Sequence, residues 1–564
     1  MGTEEIQVQG AEWPIITDGA DAEIGMSVLG GIEMRLKKPE KSVRKGEDGL
    51  SWILLLLGAF FLFVFSFTTS PLTRNSWGSD SVFFQYVGYS TAMGQVMYRD
   101  IFDTKGPYLF LIQQIAYFVG GHYGRYVLFL FQYICMTASL FLLDKTCCLF
   151  HSKNSRWRLI SALLFFFMLS YTLDGGNLTE EYSLPLLSLC QYLALKTIKA
   201  RDDSEESVYP LKYTFCYGVC FGIIAFLRIT NACLICCIIL YFLIRLSMER
   251  QWGQLIKNIV VFIVGLITAV VPMLLWYAYL GSLKEMFYAA FVFGFSYATK
   301  EAGRLRLGMY APMLLMCLIA VFLYIAGKRK QDEGARHTDA GMVQYLVICL
   351  AVYTIVLLLG KAYVHYYQLI IPPTLCAFWL IAGQWKKKWT FLLLSVIVVL
   401  NVKPLVVHTG RIVAAVGLNT EKSYNSPLGR FAEKLLVFDT SGVSYGYRMK
   451  QNAGEIFEQI PDDEKDSVYS NSPTWLFLTE RLSDCRYLET PGAFMLISEQ
   501  IQREMEDWLS AGKWKYAVLE KKGDMCIEDA VTEHYQIVWE NNDFKLFRLK
   551  QSAGSGRSGG KIWE

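Results

Sequence analysis

The feature that most constrains this chain is a recurrence of apolar runs about 18–20 residues long, the length a helix needs to cross the ~30 Å hydrocarbon core of a bilayer. The runs begin near Leu50, Tyr126, Leu159, Tyr182, Lys212, Ala232, Asn258, Met309, Gly341, Tyr366 and Trp389. They predict a polytopic α-helical membrane protein with about eleven transmembrane helices. Of the 564 residues, 53% are hydrophobic and 19% charged, against roughly a quarter charged in soluble domains. Ordinary cytosolic globularity and whole-chain disorder are therefore excluded. A net charge of +3 argues against nucleic acid as a partner and leaves membrane lipids. Most of the 14 cysteines fall inside apolar runs, where they serve as small buried hydrophobes. The adjacent pairs Cys147-Cys148 and Cys236-Cys237 lack the spacing of a metal site.

Residues 1–48 are polar, acidic at first and basic from Arg35 to Lys45. They lack the short hydrophobic core and cleavage site of a signal peptide, and are expected to form a disordered cytoplasmic tail. With that tail inside, the cytoplasmic connections carry 24 Lys and Arg and the opposite connections ten, the asymmetry of the positive-inside rule. An odd number of spans then places the C-terminal region outside, with a bacterial plasma (inner) membrane as the expected setting. The stretch Pro107–Val119 holds only about 13 residues and is expected to be an interfacial or re-entrant helix. That leaves a long first outer loop, 70–125, within a transmembrane domain covering 49–408. Residues 409–550 mix strand-like runs (466–470, 515–519) with an amphipathic helix-like run (498–510), the signature of a small extracytoplasmic α/β domain. Residues 551–564 are Gly/Ser-rich and expected to be a flexible tail.

The outer side concentrates carboxylates: Asp80, Asp100 and Asp103, then Asp174, Glu180 and Glu181, then Glu285 and Glu301. Each taken alone reads as a solvated loop charge. Together, at a membrane boundary where charge is costly, they motivate a site. Asp80 stands at the start of a helix-like segment, where it can cap the helix and also act as a general base. Lys105, before Gly106-Pro107, places a point charge at the depth of a phosphate headgroup.

The same residues carry a resemblance. An Asp after the first span, the segment Gly94-Gln95-Val96-Met97-Tyr98-Arg99-Asp100, and Lys105-Gly106-Pro107 opening an interfacial helix are similar to the first loop of the GT-C membrane glycosyltransferases. That superfamily holds the protein O-mannosyltransferases (glycosyltransferase family 39-like) and the lipid A aminoarabinose transferases. Gly176-Asn177-Leu178-Thr179-Glu180-Glu181-Tyr182 and Tyr363-Val364-His365-Tyr366-Tyr367-Gln368 before Pro372-Pro373 also resemble it. The likeness covers roughly 50–408, and departs from the mannosyltransferases where Asp80-Ser81 replaces an acidic pair.

The resemblance implies a polyprenyl-phosphate sugar donor, a glycan, lipid or protein acceptor, and inversion at the anomeric carbon. It implies Asp80 as general base, with Glu180 or Glu181 as its acidic partner. Lys105 and Arg228 become the first candidates for the donor phosphate, with His365 and Lys361 as further donors; a lone His in an aromatic run also reads as structural. Arg304 and Arg306 lie in the loop 281–308, which resembles the family's mobile acceptor-side loop. Tyr98, Asp100 and Asp103 are the acceptor or sugar candidates. No metal ligand set is evident and no cofactor is compelled, although some members of the superfamily use a divalent metal. The competing readings are a polysaccharide polymerase or O-antigen ligase, and a lipid or solute transporter. The former usually carries its large soluble loop between late spans. The latter often shows duplicated halves, and none is visible here.

Overall fold

The computed structural model describes residues 79–151, 155–203, 209–300, 307–329, 340–359, 363–384, 441–488, 491–521 and 525–550, with scattered positions in 53–71 and residue 395. The N-terminal tail, nearly all of the run from Trp389, residues 409–440 and the C-terminal tail lie outside the described residues. From Leu50 to Glu564 the chain forms one compact unit.

Among the described residues, five segments are long and apolar enough to cross a membrane: Pro107–Phe150, Ile229–Met248, Trp252–Tyr279, Ala340–Leu359 and Val364–Ala382. Leu211–Ala225 and Tyr310–Ile325 are shorter apolar helices. The first of the five is two helices. Pro107 occupies the first turn of the Pro107–Gly120 helix, whose end is closed by Gly121 at φ 52°, its N–H donating to Tyr117 O. A single 3-10 turn, Gly121–Tyr123, then leads into Gly124–His151. The 14 residues of the first helix reach about 21 Å, short of a bilayer core. The 28 residues of the second reach about 42 Å.

The run expected from Tyr182 became the 25-residue helix Thr179–Asp203. It is more polar than its neighbours because it is enclosed by them. Ser183, Ser188, Gln191 and Thr197 are all buried on it. The Ser183 and Thr197 hydroxyls donate to their own helix, and neighbouring segments supply partners to Gln191 and Ser183. Gln191 Nε2 donates to Pro372 O at 2.8 Å, and Asn231 Nδ2 donates to Ser183 Oγ at 3.1 Å.

Residues 441–550 surround a four-stranded sheet of order β1-β2-β4-β3, with β1 Val468–Ser470, β2 Tyr516–Glu520, β3 Tyr535–Glu540 and β4 Phe544–Leu549. Strands β1 and β2 are parallel; the other pairs are antiparallel. Glu499–Ser510 is helical and capped by Ser498, whose hydroxyl accepts from Ile501 N. This region rests on the first loop and the Ser79–Ala92 helix. Ser483 N donates to Tyr86 OH at 2.8 Å, and Gln95 Nε2 donates to Ser483 O at 2.6 Å. Phe102 is ringed by Phe293, Tyr487 and Phe494, with centroids 5.2–5.4 Å away.

Candidate active site

Asp80 lies in the first turn of the Ser79–Ala92 helix, half-buried. Lys105 is set beside Phe226 and Leu227 by a backbone splice. Gly106 N donates to Leu227 O and Tyr108 N to Phe226 O, both at 2.9 Å. A Cβ on Gly106 would lie 2.2 Å from Phe226 O, so the approach requires glycine. The Lys-Gly-Pro sequence therefore divides its labour. Lys105 supplies charge, Gly106 the close approach, and Pro107 the helix start. The splice sets Lys105 beside the chain that continues into Arg228.

Lys105 is also bound from its own loop. Its N–H donates to Asp103 Oδ1 at 2.7 Å, and its Nζ is 3.5 Å from Asp103 Oδ2 and 5.2 Å from the centroid of the Phe84 ring. Asp103 is buried. Burial pushes its carboxyl above the ordinary value; Lys105 opposes that rise, and the negative charge of Asp80 adds to it. Asp103 thus lies between the Lys105 cation and the Asp80 carboxylate in electrostatic terms.

The second loop arrives through an unusual turn. Asp174, Gly175, Gly176 and Asn177 have φ of 51°, 92°, 84° and 63°, four residues in succession in the left-handed region. A Cβ on Gly176 would lie 2.3 Å from Ser66 Oγ. Asn177, with no exposed surface, ties this loop to the first. Its Nδ2 donates to Ser81 Oγ at 3.2 Å, and its Oδ1 accepts from Gln113 Nε2 at 2.8 Å and Tyr182 OH at 2.7 Å. The residue after Asp80 is thus anchored to the residue three before Glu180.

Glu180 and Glu181 then part company. Glu180 Oε1 is 3.5 Å from Arg228 Nη1. Glu181 turns into the framework, accepting from Gln132 Nε2 at 2.5 Å and Leu178 N at 3.2 Å. Arg228 donates from Nη2 to Tyr366 OH and lies over that ring, 3.9 Å from its centroid. Asp80 is within electrostatic reach of Arg228, Tyr366 and Asp103. The structure therefore gathers Asp80, Asp103, Lys105, Glu180 and Arg228 at one place. His365 stands at its edge: its Nδ1 is 3.3 Å from Asp174 Oδ2, and its ring meets Tyr366 edge-on at 4.7 Å.

The other sequence candidates are placed differently. Tyr98 is fully buried against Tyr277 and Phe110, with its hydroxyl donating to Lys105 O at 2.7 Å. Asp100 spends its carboxylate within the loop, accepting from Arg99 Nε and Nη2 at 2.9 Å and Val96 N at 2.7 Å. The Arg99 bond holds that carboxyl below its ordinary range. Lys361, Arg304 and Arg306 lie outside the described residues. Among the described residues, no group of three or more His, Cys, Asp or Glu is placed to hold a metal.

Three residues were not singled out by sequence. Tyr366 and Asn177 sit inside the motifs that carried the resemblance, yet nothing local marks their partners. Gln132 left a clearer trace, as an amide inside the apolar run Leu128–Cys135, where a polar group signals a partner.

No family model and no curated protein matches this chain. Solved structures do. ArnT from Cupriavidus metallidurans bound to undecaprenyl phosphate aligns over 90% of this chain and 99% of its own, at 12% identity and a TM-score of 0.54. The apo state of the same protein aligns over 90% and 98%, at 12% identity and a TM-score of 0.55. The fold of this chain is therefore ArnT-like. At such identity the likeness is one of fold.

Proposed function

We propose that this protein is a membrane glycosyltransferase that moves a sugar from a polyprenyl phosphate to a hydroxyl-bearing acceptor, inverting the anomeric carbon. The observation that carries the reading is the convergence of Asp80, Glu180, Lys105 and Arg228 from three separate loops within a GT-C-like fold. A structural neighbour bound to undecaprenyl phosphate supports a lipid phosphate as the donor.

In this reading Asp80 takes the proton of the acceptor hydroxyl as its oxygen bonds to the anomeric carbon. The carbon–oxygen bond to phosphate breaks, and its electron pair leaves on the phosphate. General-base help of this kind is worth ~10²–10⁴-fold. Charge accumulates on the departing phosphate, and Lys105 and Arg228 meet it from fixed positions. Glu180 holds Arg228 rather than taking part in proton transfer, and Glu181 supports the turn. Asp103 sets Lys105, while Tyr98 and Asp100 shape the loop. His365 orients Tyr366 from the Asp174 side. Lys361, Arg304 and Arg306 remain donor-side candidates.

The site is assigned to the extracytoplasmic side of a plasma membrane, with the N-terminus cytoplasmic and residues 441–550 on the side of Asp80. Contacts of Ser483 with Tyr86 and Gln95 support the last point. Incubating the purified protein in lipid nanodiscs with a panel of labelled polyprenyl-phosphate sugars and membrane glycolipids tests the activity. Label transferred in the parent and lost in Asp80→Asn is the expected result; transfer that is indifferent to Asp80 refutes the assignment.

A further inference from the structure

The loop that presents Lys105 is held from the far end of the chain. Tyr98 has φ of 70°, a conformation that a bulky aromatic residue adopts only when its surroundings impose it. Within the loop, Tyr98 N donates to Ile101 O at 2.8 Å, and a bridge joins Met97 to Ile101. Packing against Tyr277 and Phe110 holds the ring, and a further restraint comes from residue 486. Arg486 Nη2 donates to Tyr98 O at 3.1 Å, and Arg486 O accepts from Phe102 N at 2.8 Å. The guanidinium also lies 5.5 Å from the centroid of the Phe102 ring and 5.2 Å from that of Tyr487. On the other side of the turn, the Tyr98 hydroxyl grips the Lys105 carbonyl at 2.7 Å.

A continuous path thus runs from Arg486 through the Tyr98 peptide and ring to the backbone of Lys105. Tyr98 at its centre is fully buried and the two ends are half-buried, and each link is a hydrogen bond or a covalent bond, so a shift at one end is carried to the other. The chain spends a cation on this turn although the Phe102 aromatic cluster already anchors the region. The aromatic cluster gives the two regions undirected cohesion, whereas the Arg486 guanidinium adds a directed donor at the Tyr98 carbonyl.

We propose that Arg486 is a positioning residue that sets Lys105 for an anionic phosphate through the clamped turn at Tyr98. The inference rests on Lys105 being a phosphate-binding group in the function proposed above. It adds that the C-terminal region governs donor affinity without touching the donor.

The test is a double-mutant cycle on the full-length protein in nanodiscs, with undecaprenyl phosphate as the probe and thermal unfolding as the control. Arg486→Met keeps the stem and the backbone bond to Phe102 and removes the directed donor. Its undecaprenyl phosphate affinity should fall about tenfold, the size of one charge-assisted hydrogen bond, with the unfolding temperature near that of the parent. In Lys105→Met the same Arg486 change should cost almost nothing, because the two residues act on one contact. Arg486→Lys should recover part of the affinity. If Lys105→Met binds like the parent, the phosphate reading of Lys105 fails. If Lys105→Met binds weakly while Arg486→Met does not, or the two losses simply add, the positioning role is overturned and the donor site survives. Should Arg486→Met not fold, Tyr98→Phe removes only the hydroxyl on the same path, and parental affinity there also overturns the proposal.

Discussion

The Thr179–Asp203 helix carries an arginine–glutamate pairing at each end, and the two ends differ in how tightly they are closed. At the far end, Arg201 donates to Glu249, which also meets Arg245 at 3.3 Å and Tyr209 OH at 3.3 Å. Between the helices Gly124–His151 and Ser155–Thr172, Arg158 grips Asp144 in the same closed manner through two bonds of 2.6 and 2.7 Å. These charges are spent on one another. At the near end, Arg228 is 3.5 Å from Glu180 and Lys105 is 3.5 Å from Asp103, longer than charge-assisted bonds usually are. Two cations there are spread over three carboxylates, with Asp80 the third. The same charge types form short pairs at one end and a longer-range cluster at the other.

The largest expected effect that tests this contrast falls on Asp80. Asp80→Asn keeps the size and helix-capping ability of the side chain but cannot take a proton. Turnover with saturating donor should drop at least ~10²-fold while undecaprenyl phosphate still binds. Near-parental turnover would show that the open cluster is not organised around this carboxylate.

Next in size is the closed pair of Arg158 and Asp144. Arg158→Met leaves the half-buried Asp144 unpaired, and loss of a buried partner costs about 3 kcal/mol. Unfolding in detergent should shift accordingly, with donor affinity unchanged. A variant that loses affinity but not stability would erase the distinction between closed pairs and the cluster around Arg228.

Glu180 and Glu181 offer a comparison on neighbouring residues. Glu180→Gln should lower turnover about tenfold, as one charged hydrogen bond to Arg228 is weakened, with little change in stability. Glu181→Gln should do the reverse, because its oxygens serve Gln132 and the Leu178 amide. Equal kinetic losses in both would mean that the second loop is arranged differently.

The smallest effect is a pH dependence. Burial raises the Asp103 carboxyl above its ordinary value of 3.8, so the folded state binds its proton more tightly than the unfolded state does. That contribution is fully present below the unfolded value and is lost as pH rises through the folded one. Stability should therefore decline slightly with rising pH just above that ordinary value, and Asp103→Asn should flatten the slope. A slope unchanged by Asp103→Asn would assign it to another carboxyl.

The sequence by itself settled the membrane character of the chain, because apolar length is a local property that bilayer thickness makes decisive. It also located the short Pro107–Gly120 helix, since Pro107 and the Gly120-Gly121 pair mark its ends by backbone preference alone. The strands Val468–Ser470 and Tyr516–Glu520 and the helix Glu499–Ser510 were legible for the same reason. So was the order of Asp80, Lys105 and Glu180 along the chain. The enclosure of Thr179–Asp203 was not: its buried Ser183 and Gln191 look unsuited to a membrane until their partners Asn231 and Pro372 are known. Nor could sequence say that Glu180 faces Arg228 while Glu181 faces Gln132, because one residue along a helix turns the side chain by about 100° and only the surroundings assign the faces. Tyr366 and Arg486 lie 138 and 388 residues from the groups they hold. Such pairings are set by packing, where each buried polar group must find its partner, and no local pattern encodes them.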